Sequence, residues 1–118
     1  MPILHVEIVG EPSEFSADLA QQLAEAAGSA LDSRPRGTWV TLNFVKENRY
    51  AENGGADSRP LIVTLLQADL PSGDALRQQV DRLTQAIATT AEHPFKNVHL
   101  VLEPSGRGRV AFGGKLVE

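Results

Sequence analysis

The feature that most constrains the fold is a set of landmarks that recurs along the chain at nearly one offset. Prolines and Gly-Gly pairs return after 58 or 59 residues: Pro2 with Pro60, Pro35 with Pro94, and Gly54-Gly55 with Gly113-Gly114. Apolar helical positions match at an offset of 57, as in Leu19 with Leu76, so the register slips by one or two residues. Any α/β chain repeats such a pattern to some degree, but three coincident landmarks favour a duplicated unit. The first copy covers about 2–57 and the second about 60–118.

The first copy predicts a strand, a helix and a second strand. Residues 2–9 are rich in aliphatic and β-branched side chains and are bounded by Gly10 and Pro12, as strands are. From Ser13 onward, apolar residues return every four positions and predict an amphipathic helix that ends before Pro35: Phe15, Leu19, Leu23, Ala27 and Leu31. Residues 38–45 predict the second strand, and residues 46–55 predict a loop or a short hairpin.

The second copy repeats this order. LIVTLL after Pro60 predicts a strand, and NVHLVLE after Pro94 predicts another, followed by the Gly-containing tail SGRGRVAFGGKL. Between them, an apolar stripe predicts a helix that runs to about Glu92: Leu76, Val80, Leu83 and Ile87. Two βαβ units with parallel strands make an α/β fold of the α+β two-layer kind, one domain over 1–118 with a four-stranded sheet and both helices on one face. The strands read as near-continuous aliphatic runs, so we expect the other face to be apolar and covered by oligomerisation.

Composition and motifs exclude several functions. The chain has no cysteine, and His5, His93 and His99 lack the close spacing of metal ligands, so we expect no metal site. No P-loop and no strand-linked G-x-G-x-x-G is present, so we expect no cofactor. A net charge of −4 with scattered basic residues argues against nucleic acid as a partner. The apolar stretches are too short to span a bilayer and the first residues lack a cationic signal region, so we expect a cytoplasmic protein without a membrane partner.

Pro2 is the one residue whose position suggests catalysis. A small residue after the start methionine permits removal of Met1, which would leave Pro2 with a secondary amine. An α-amino group titrates at about 7.7–8.0 in model peptides, and desolvation or a neighbouring cation lowers that pKa. Such a base could take a proton from one atom of a keto or enol acid and return it to another. Met-Pro openings are also common in chains without such a role.

The chain resembles the tautomerase superfamily, which contains 4-oxalocrotonate tautomerase (4-OT) and macrophage migration inhibitory factor. The resemblance covers essentially the whole chain and rests on the MPILHVEI opening, Pro94 before NVHLVLE, and the closing GRVAFGGKL within a duplicated βαβ. It implies a cofactor-independent keto-enol tautomerase that acts on a small α-keto or enol acid, with Pro2 as general base and acid. It also implies a homotrimer, the assembly of the fused members.

The two arginines with which short family members hold substrate carboxylates have no counterpart here. The first position falls on Glu11 or Pro12, and the second falls on Val40 in the first copy and on His99 in the second. A histidine gives at most a weaker, pH-dependent contact with a carboxylate, so diacid substrates are doubtful.

The resemblance implies three further residues at the proline pocket, and the position of Trp39 at the start of the second strand suggests a fourth. The family hairpin would place Arg107 and Arg109 near the mouth of a neighbouring proline pocket, although both side chains could equally belong to a solvated turn. Phe112 stands where the family has an aromatic wall, and Trp39 could line the same cavity, but either aromatic could instead be ordinary packing.

Two functional alternatives remain open at the level of sequence. The missing arginines are also compatible with a non-catalytic trimer that serves in binding or structure. A hydratase or decarboxylase of a small unsaturated acid would use the same proline with water or with a Schiff-base-like step. Pro60 lies mid-chain in an amide and has no basic nitrogen, so the sequence allows at most one such active site per chain.

Overall fold

A computed structural model describes residues 2–118, in which a four-stranded sheet is accompanied by two α-helices and a small hairpin. The elements follow the order β1 (Ile3–Val9), α1 (Leu19–Ala30), β2 (Trp39–Val45), β3 (Leu61–Leu66), α2 (Gly73–Ala91) and β4 (Val98–Leu102). The hairpin follows, made of β5 (Ala111–Phe112) and β6 (Lys115–Leu116). The predicted α+β architecture is confirmed.

The order of strands across the sheet is β2-β1-β3-β4. Within each half the two strands are parallel, as a βαβ unit requires, whereas the central strands β1 and β3 are antiparallel. Ile3 at the start of β1 pairs with Leu66 at the end of β3, and Ile8 pairs with Leu61. Pro2 and Pro60, which precede β1 and β3, therefore lie at opposite ends of the sheet.

The core lies between one face of the sheet and both helices, which pack against each other. Its apolar side chains alternate along the central strands and recur at helical spacing in α1 and α2: Leu4, Val6, Ile8, Leu61, Val63, Leu65, Leu19, Leu23, Ala27, Leu83, Ile87, Ala88 and Ala91. Within residues 2–118, neither helix combines the length and apolar character needed to cross a membrane.

The face of the sheet away from the helices is less apolar than expected. On β1, the buried Leu4 and Val6 alternate with the exposed His5 and Glu7. The β2 residues on this face include Thr41 and Asn43, which are also exposed. The expectation of continuous aliphatic runs is wrong for these two strands, because every second residue points away from the core. The apolar groups of this face lie toward its ends and on β3 and β4: Ile3, Trp39, Ile62, Leu66 and Val101.

One local expectation differs from the structure, and the choice between a loop and a short hairpin for residues 46–55 is decided. The first helix begins at Leu19, because Pro12–Glu14 form a 3-10 turn after which Phe15 has an extended backbone; the Phe15 ring still packs against Phe44, with centroids 5.5 Å apart. Gly54-Gly55 belongs to a loop, whereas the matching Gly113-Gly114 turns the β5–β6 hairpin. The Gly-Gly landmark therefore marks a hairpin only in the second half of the described chain.

Candidate active site at the start of the first strand

Pro2 lies half-buried at the end of the sheet where β1 begins. Its carbonyl oxygen accepts a hydrogen bond of 2.9 Å from the backbone N–H of Trp39, the first residue of β2. Continuing the strand pairing by one residue puts Pro2 between Thr38 on one side and Gln67 on the other. Both neighbours are fixed by the sheet, so the position of Pro2 is well defined.

The aromatic residues expected at the proline pocket contact each other, and the backbone of one of them, Trp39, is hydrogen-bonded to Pro2. The rings of Trp39 and Phe112 pack edge to face, with centroids 5.1 Å apart and an interplanar angle of 83°. The indole Nε1 donates to the carbonyl oxygen of Arg36 at 3.0 Å, which orients the ring. This contact holds the C-terminal hairpin against the start of β2. Trp39 remains 53% exposed, so its outer face is free to contact a ligand or another subunit.

Arg107 is held in an ion pair within the chain. Its Nε donates to Asp69 Oδ1 at 2.8 Å and its Nη2 donates to Oδ2, a bidentate arrangement, while Nη1 donates to the carbonyl oxygen of Glu118. The hydrogen bond from Arg107 holds the pKa of the Asp69 carboxyl below its ordinary value. The guanidinium therefore anchors the tail to the loop after β3, and its charge is already balanced.

Arg109 has a different environment. It forms no ion pair with any residue in 2–118, and it lines a small cavity of about 240 Å³ on the sheet face away from the helices. His5, Thr64 and Glu103 line the same cavity. The Nδ1 atom of His5 is 2.6 Å from the hydroxyl of Thr41 on the neighbouring strand. Arg109 is thus a cation whose charge is not balanced by a direct partner in the described chain.

His99 is far from Pro2 within one chain. It pairs with Ile62 near the start of β3, whereas the position beside Pro2 is Gln67, five residues further along the strand. At about 3.3 Å per residue, the two levels are separated by about 16 Å along the sheet. His99 is exposed on an edge strand and contributes to a cleft with α2. A single chain does not bring it to Pro2.

A groove at the start of β2 contains polar residues that sequence reasoning did not select, among them two arginines. It has a volume of about 730 Å³ and runs between α1 and the start of β2, lined by Arg34, Arg36, Thr38 and Trp39 among others. Neither arginine forms an ion pair within residues 2–118. The run RPRGTW carried the signal, because two basic residues flank Pro35 directly before the strand that begins beside Pro2. In the sequence analysis Pro35 was used only to establish the repeat, so the basic residues on either side of it were not considered.

Comparison with known proteins gave matches among solved structures alone. No protein-family model matches the chain, and neither does any curated protein sequence. Macrophage migration inhibitory factor from Trichinella spiralis superposes with a TM-score of 0.77 at 14% identity, covering 97% of this chain and 98% of that one. A fused 4-OT, a wild-type asymmetric trimer, gives 0.76 at 18% identity over 98% and 95% of the two chains. A protein inactivated by 2-oxo-3-pentynoate gives 0.72 at 14% identity over 98% and 94%. The chain has the tautomerase fold.

The end of this tautomerase fold opposite Pro2 carries a separate polar cluster. Arg59, directly before Pro60, contacts Glu14 at 2.9 Å, and the ring of His93 stacks on Phe15 with centroids 6.0 Å apart. The hydrogen bond from Arg59 holds the pKa of the Glu14 carboxyl below its ordinary value. Removal of Met1 would give Pro2 a basic amine, whereas the nitrogen of Pro60 lies in an amide and is not basic. The polar cluster around Arg59 therefore has no equivalent base.

The region around Pro2 has the elements of an acid–base site. It combines the half-buried Pro2 with the Trp39–Phe112 pair, and Trp39 also lines the groove that contains Arg34 and Arg36. Nowhere in residues 2–118 are three His, Asp or Glu side chains grouped as metal ligands. A proline nitrogen freed from its amide is a base that can transfer protons, and guanidinium groups without ion-pair partners can bind anions.

Proposed function

We propose that this protein is a keto-enol tautomerase of the tautomerase superfamily and that Pro2, freed by removal of Met1, is its general base and acid. The observation that carries the proposal is the position of Pro2 in this fold. It directly precedes a central strand, is half-buried, and accepts a backbone hydrogen bond from Trp39, whose ring packs on Phe112. The tautomerase and macrophage migration inhibitory factor structures that share the fold support the same class of reaction.

The reaction requires one proton acceptor that also acts as a donor. The neutral Pro2 nitrogen takes the hydroxyl proton of the enol, and the resulting ammonium delivers a proton to carbon, which gives the ketone and restores the neutral amine. A base whose pKa lies near the working pH is the most effective in both directions.

The substrate that best fits is a small keto or enol monoacid. Its carboxylate requires a guanidinium partner, and Arg34 and Arg36 are two candidates, because they line the groove that also includes Thr38 and Trp39 at the start of β2. Arg109, which the sequence also indicated, remains a candidate because it has no ion-pair partner in residues 2–118. Arg107 is the weaker candidate of the hairpin, since Asp69 already binds it at two positions.

We further propose that the protein is a homotrimer. Two similar structures are of fused 4-OT trimers, one symmetric and one asymmetric. The sheet face away from the helices carries Ile62, Leu66 and Val101, the last of which is 51% exposed, and burial of this face would remove apolar surface from water. Assembly is also the route by which His99 or Arg109 of another subunit would reach the Pro2 pocket.

Replacement of Pro2 by Ala tests the proposal. Parent and Pro2→Ala are prepared free of Met1, verified by intact mass, and assayed for ketonisation of the enol of phenylpyruvate. We expect kcat to fall by orders of magnitude, because a flexible primary amine is a differently placed base than the ring nitrogen. Sedimentation and circular dichroism should remain unchanged, since Pro2 precedes β1. Parental kcat in the variant would assign proton transfer to another group.

A further inference from the structure

Thr38, the residue before β2, has a buried hydroxyl group without a hydrogen-bond partner. The residue is 9% exposed, and its Oγ1 is fully enclosed and has no partner among residues 2–118. Thr84 on α2 is buried to a similar degree, but its hydroxyl donates to the carbonyl oxygen of Val80 at 2.7 Å. Buried hydroxyl groups are normally satisfied, so an unsatisfied one calls for an explanation.

The ladder of the sheet places Thr38 directly beside Pro2. Ile3 pairs with Trp39, and the Trp39 N–H donates to the Pro2 carbonyl, so Pro2 and Thr38 form the next pair outward. Neighbouring strands are about 4.8 Å apart, and residues paired across two strands point to the same face. For Pro2 and Thr38 this is the helix-facing side, as it is for the buried Leu4. Thr38 also faces α1, since a Cβ added to Gly28 would lie at an ordinary contact distance of 3.7 Å from its hydroxyl.

Removal of Met1 creates a hydrogen-bonding group at this position. While Met1 is attached, the Pro2 nitrogen is a tertiary amide with no hydrogen and no available lone pair. Hydrolysis of the Met1–Pro2 bond adds the water oxygen and one hydrogen to the methionine carboxyl group and the other hydrogen to the proline nitrogen. The product is a secondary amine, an acceptor when neutral and a donor of two N–H groups when protonated.

We propose that Thr38 is a positioning residue whose hydroxyl binds the freed Pro2 nitrogen and fixes its orientation. The effect of this hydrogen bond on catalysis rests on the proposed function, whereas the existence of the bond does not depend on it. The bond to the protonated amine is charge-assisted and is the stronger of the two, so it favours the charged form of Pro2. The other charged groups that line the groove around Thr38 are Glu25, Arg34 and Arg36, and they remain in every variant of the test.

The test measures how readily the Pro2 amine loses its proton. Purified full-length protein is treated with methionine aminopeptidase, and its reaction with acetic anhydride is followed by the mass of the N-terminal peptide over a range of pH. We expect Thr38→Val, which keeps the β-branched shape, to lower the apparent pKa of the amine by about one pH unit. Thr38→Ser retains the hydroxyl and should restore the parental value. Thr84→Val is the matched control, a buried hydroxyl lost far from Pro2, and should leave the titration unchanged.

A second readout uses thermal unfolding with and without Met1. Thr38→Val should lower the unfolding temperature of Met1-free protein more than that of Met1-retaining protein, because only the former has a partner to lose. An unchanged titration, or equal thermal shifts in the two forms, would overturn the role of Thr38. Neither readout requires turnover. Absence of ketonisation by Met1-free parent, with the titration shift present, would therefore reject the tautomerase activity and leave the Thr38 contact standing.

Discussion

The contact between Trp39 and Phe112 should contribute measurably to stability, because it is the ring contact that joins the hairpin to the sheet in residues 2–118. Its centroid separation of 5.1 Å and angle of 83° are those of a favourable edge-to-face pair, for which the coupling beyond area burial is about 0.5–1.5 kcal/mol. Trp39→Ala, Phe112→Ala and the double variant form a double-mutant cycle with the parent. Urea unfolding followed by far-ultraviolet circular dichroism, at one protein concentration, should give a coupling of about 1 kcal/mol.

Phe95 provides the matched control for this cycle. It is 47% exposed, comparable to Trp39, and among the ring contacts of residues 2–118 there is none between Phe95 and Trp39. Phe95→Ala combined with Trp39→Ala should therefore be additive to within about 0.5 kcal/mol. If the effects of Trp39→Ala and Phe112→Ala were also additive, the two rings would not stabilise each other. The hairpin would then not be held against the start of β2 by this contact.

Three further predictions follow from the pairing of charges and from the core. Arg107 lowers the pKa of Asp69, so their contact stabilises the fold above the unfolded-state carboxyl pKa and loses its effect as pH falls through the lowered value. Asp69→Asn should therefore be less stable than the parent at neutral pH and equal to it in strong acid, by urea unfolding at each pH. At least one of the variants Arg34→Ala, Arg36→Ala and Arg109→Ala should raise KM for an enol monoacid. The loss in kcat/KM should correspond to about 1.5–3 kcal/mol, as expected for a charged hydrogen bond. An unchanged KM in all three variants would show that the substrate carboxylate binds elsewhere. Leu65→Ala, at a fully buried position, should cost about 2–5 kcal/mol of unfolding free energy, whereas a cost below about 1 kcal/mol would contradict the assigned core.

The sequence predicted the architecture because the core residues are regularly spaced. Leu19, Leu23 and Ala27 are all buried on α1, as the helical periodicity required, and the aliphatic content of residues 2–9 correctly indicated the strand β1. The start of α1 was predicted too early, since Phe15 continues the apolar stripe while its backbone is extended. The sequence did not predict the polar outer face of β1. The segment is so rich in aliphatic residues that the alternation of His5 and Glu7 with buried neighbours is hard to recognise.

The candidate site was predicted only in part, because pairing between distant residues leaves little mark in the sequence. Trp39 and Phe112 were both selected, yet their mutual contact depends on how the hairpin folds back. Arg107 and Arg109 look equivalent in the sequence, but Asp69, 38 positions away from Arg107, binds only one of them. Thr38 gave no signal at all, since an unsatisfied hydroxyl is visible only when every neighbour has been placed.

The most direct test of the proposed chemistry compares one protein with and without its first residue. Homogeneous Met1-retaining protein is divided, one half is treated with methionine aminopeptidase, and both halves are assayed for ketonisation of phenylpyruvate enol after intact-mass analysis. A free proline amine as the base predicts activity that appears with the loss of Met1 and rises in proportion to the processed fraction. Equal turnover in both halves would contradict catalysis by Pro2, and no turnover in either would favour the non-catalytic trimer.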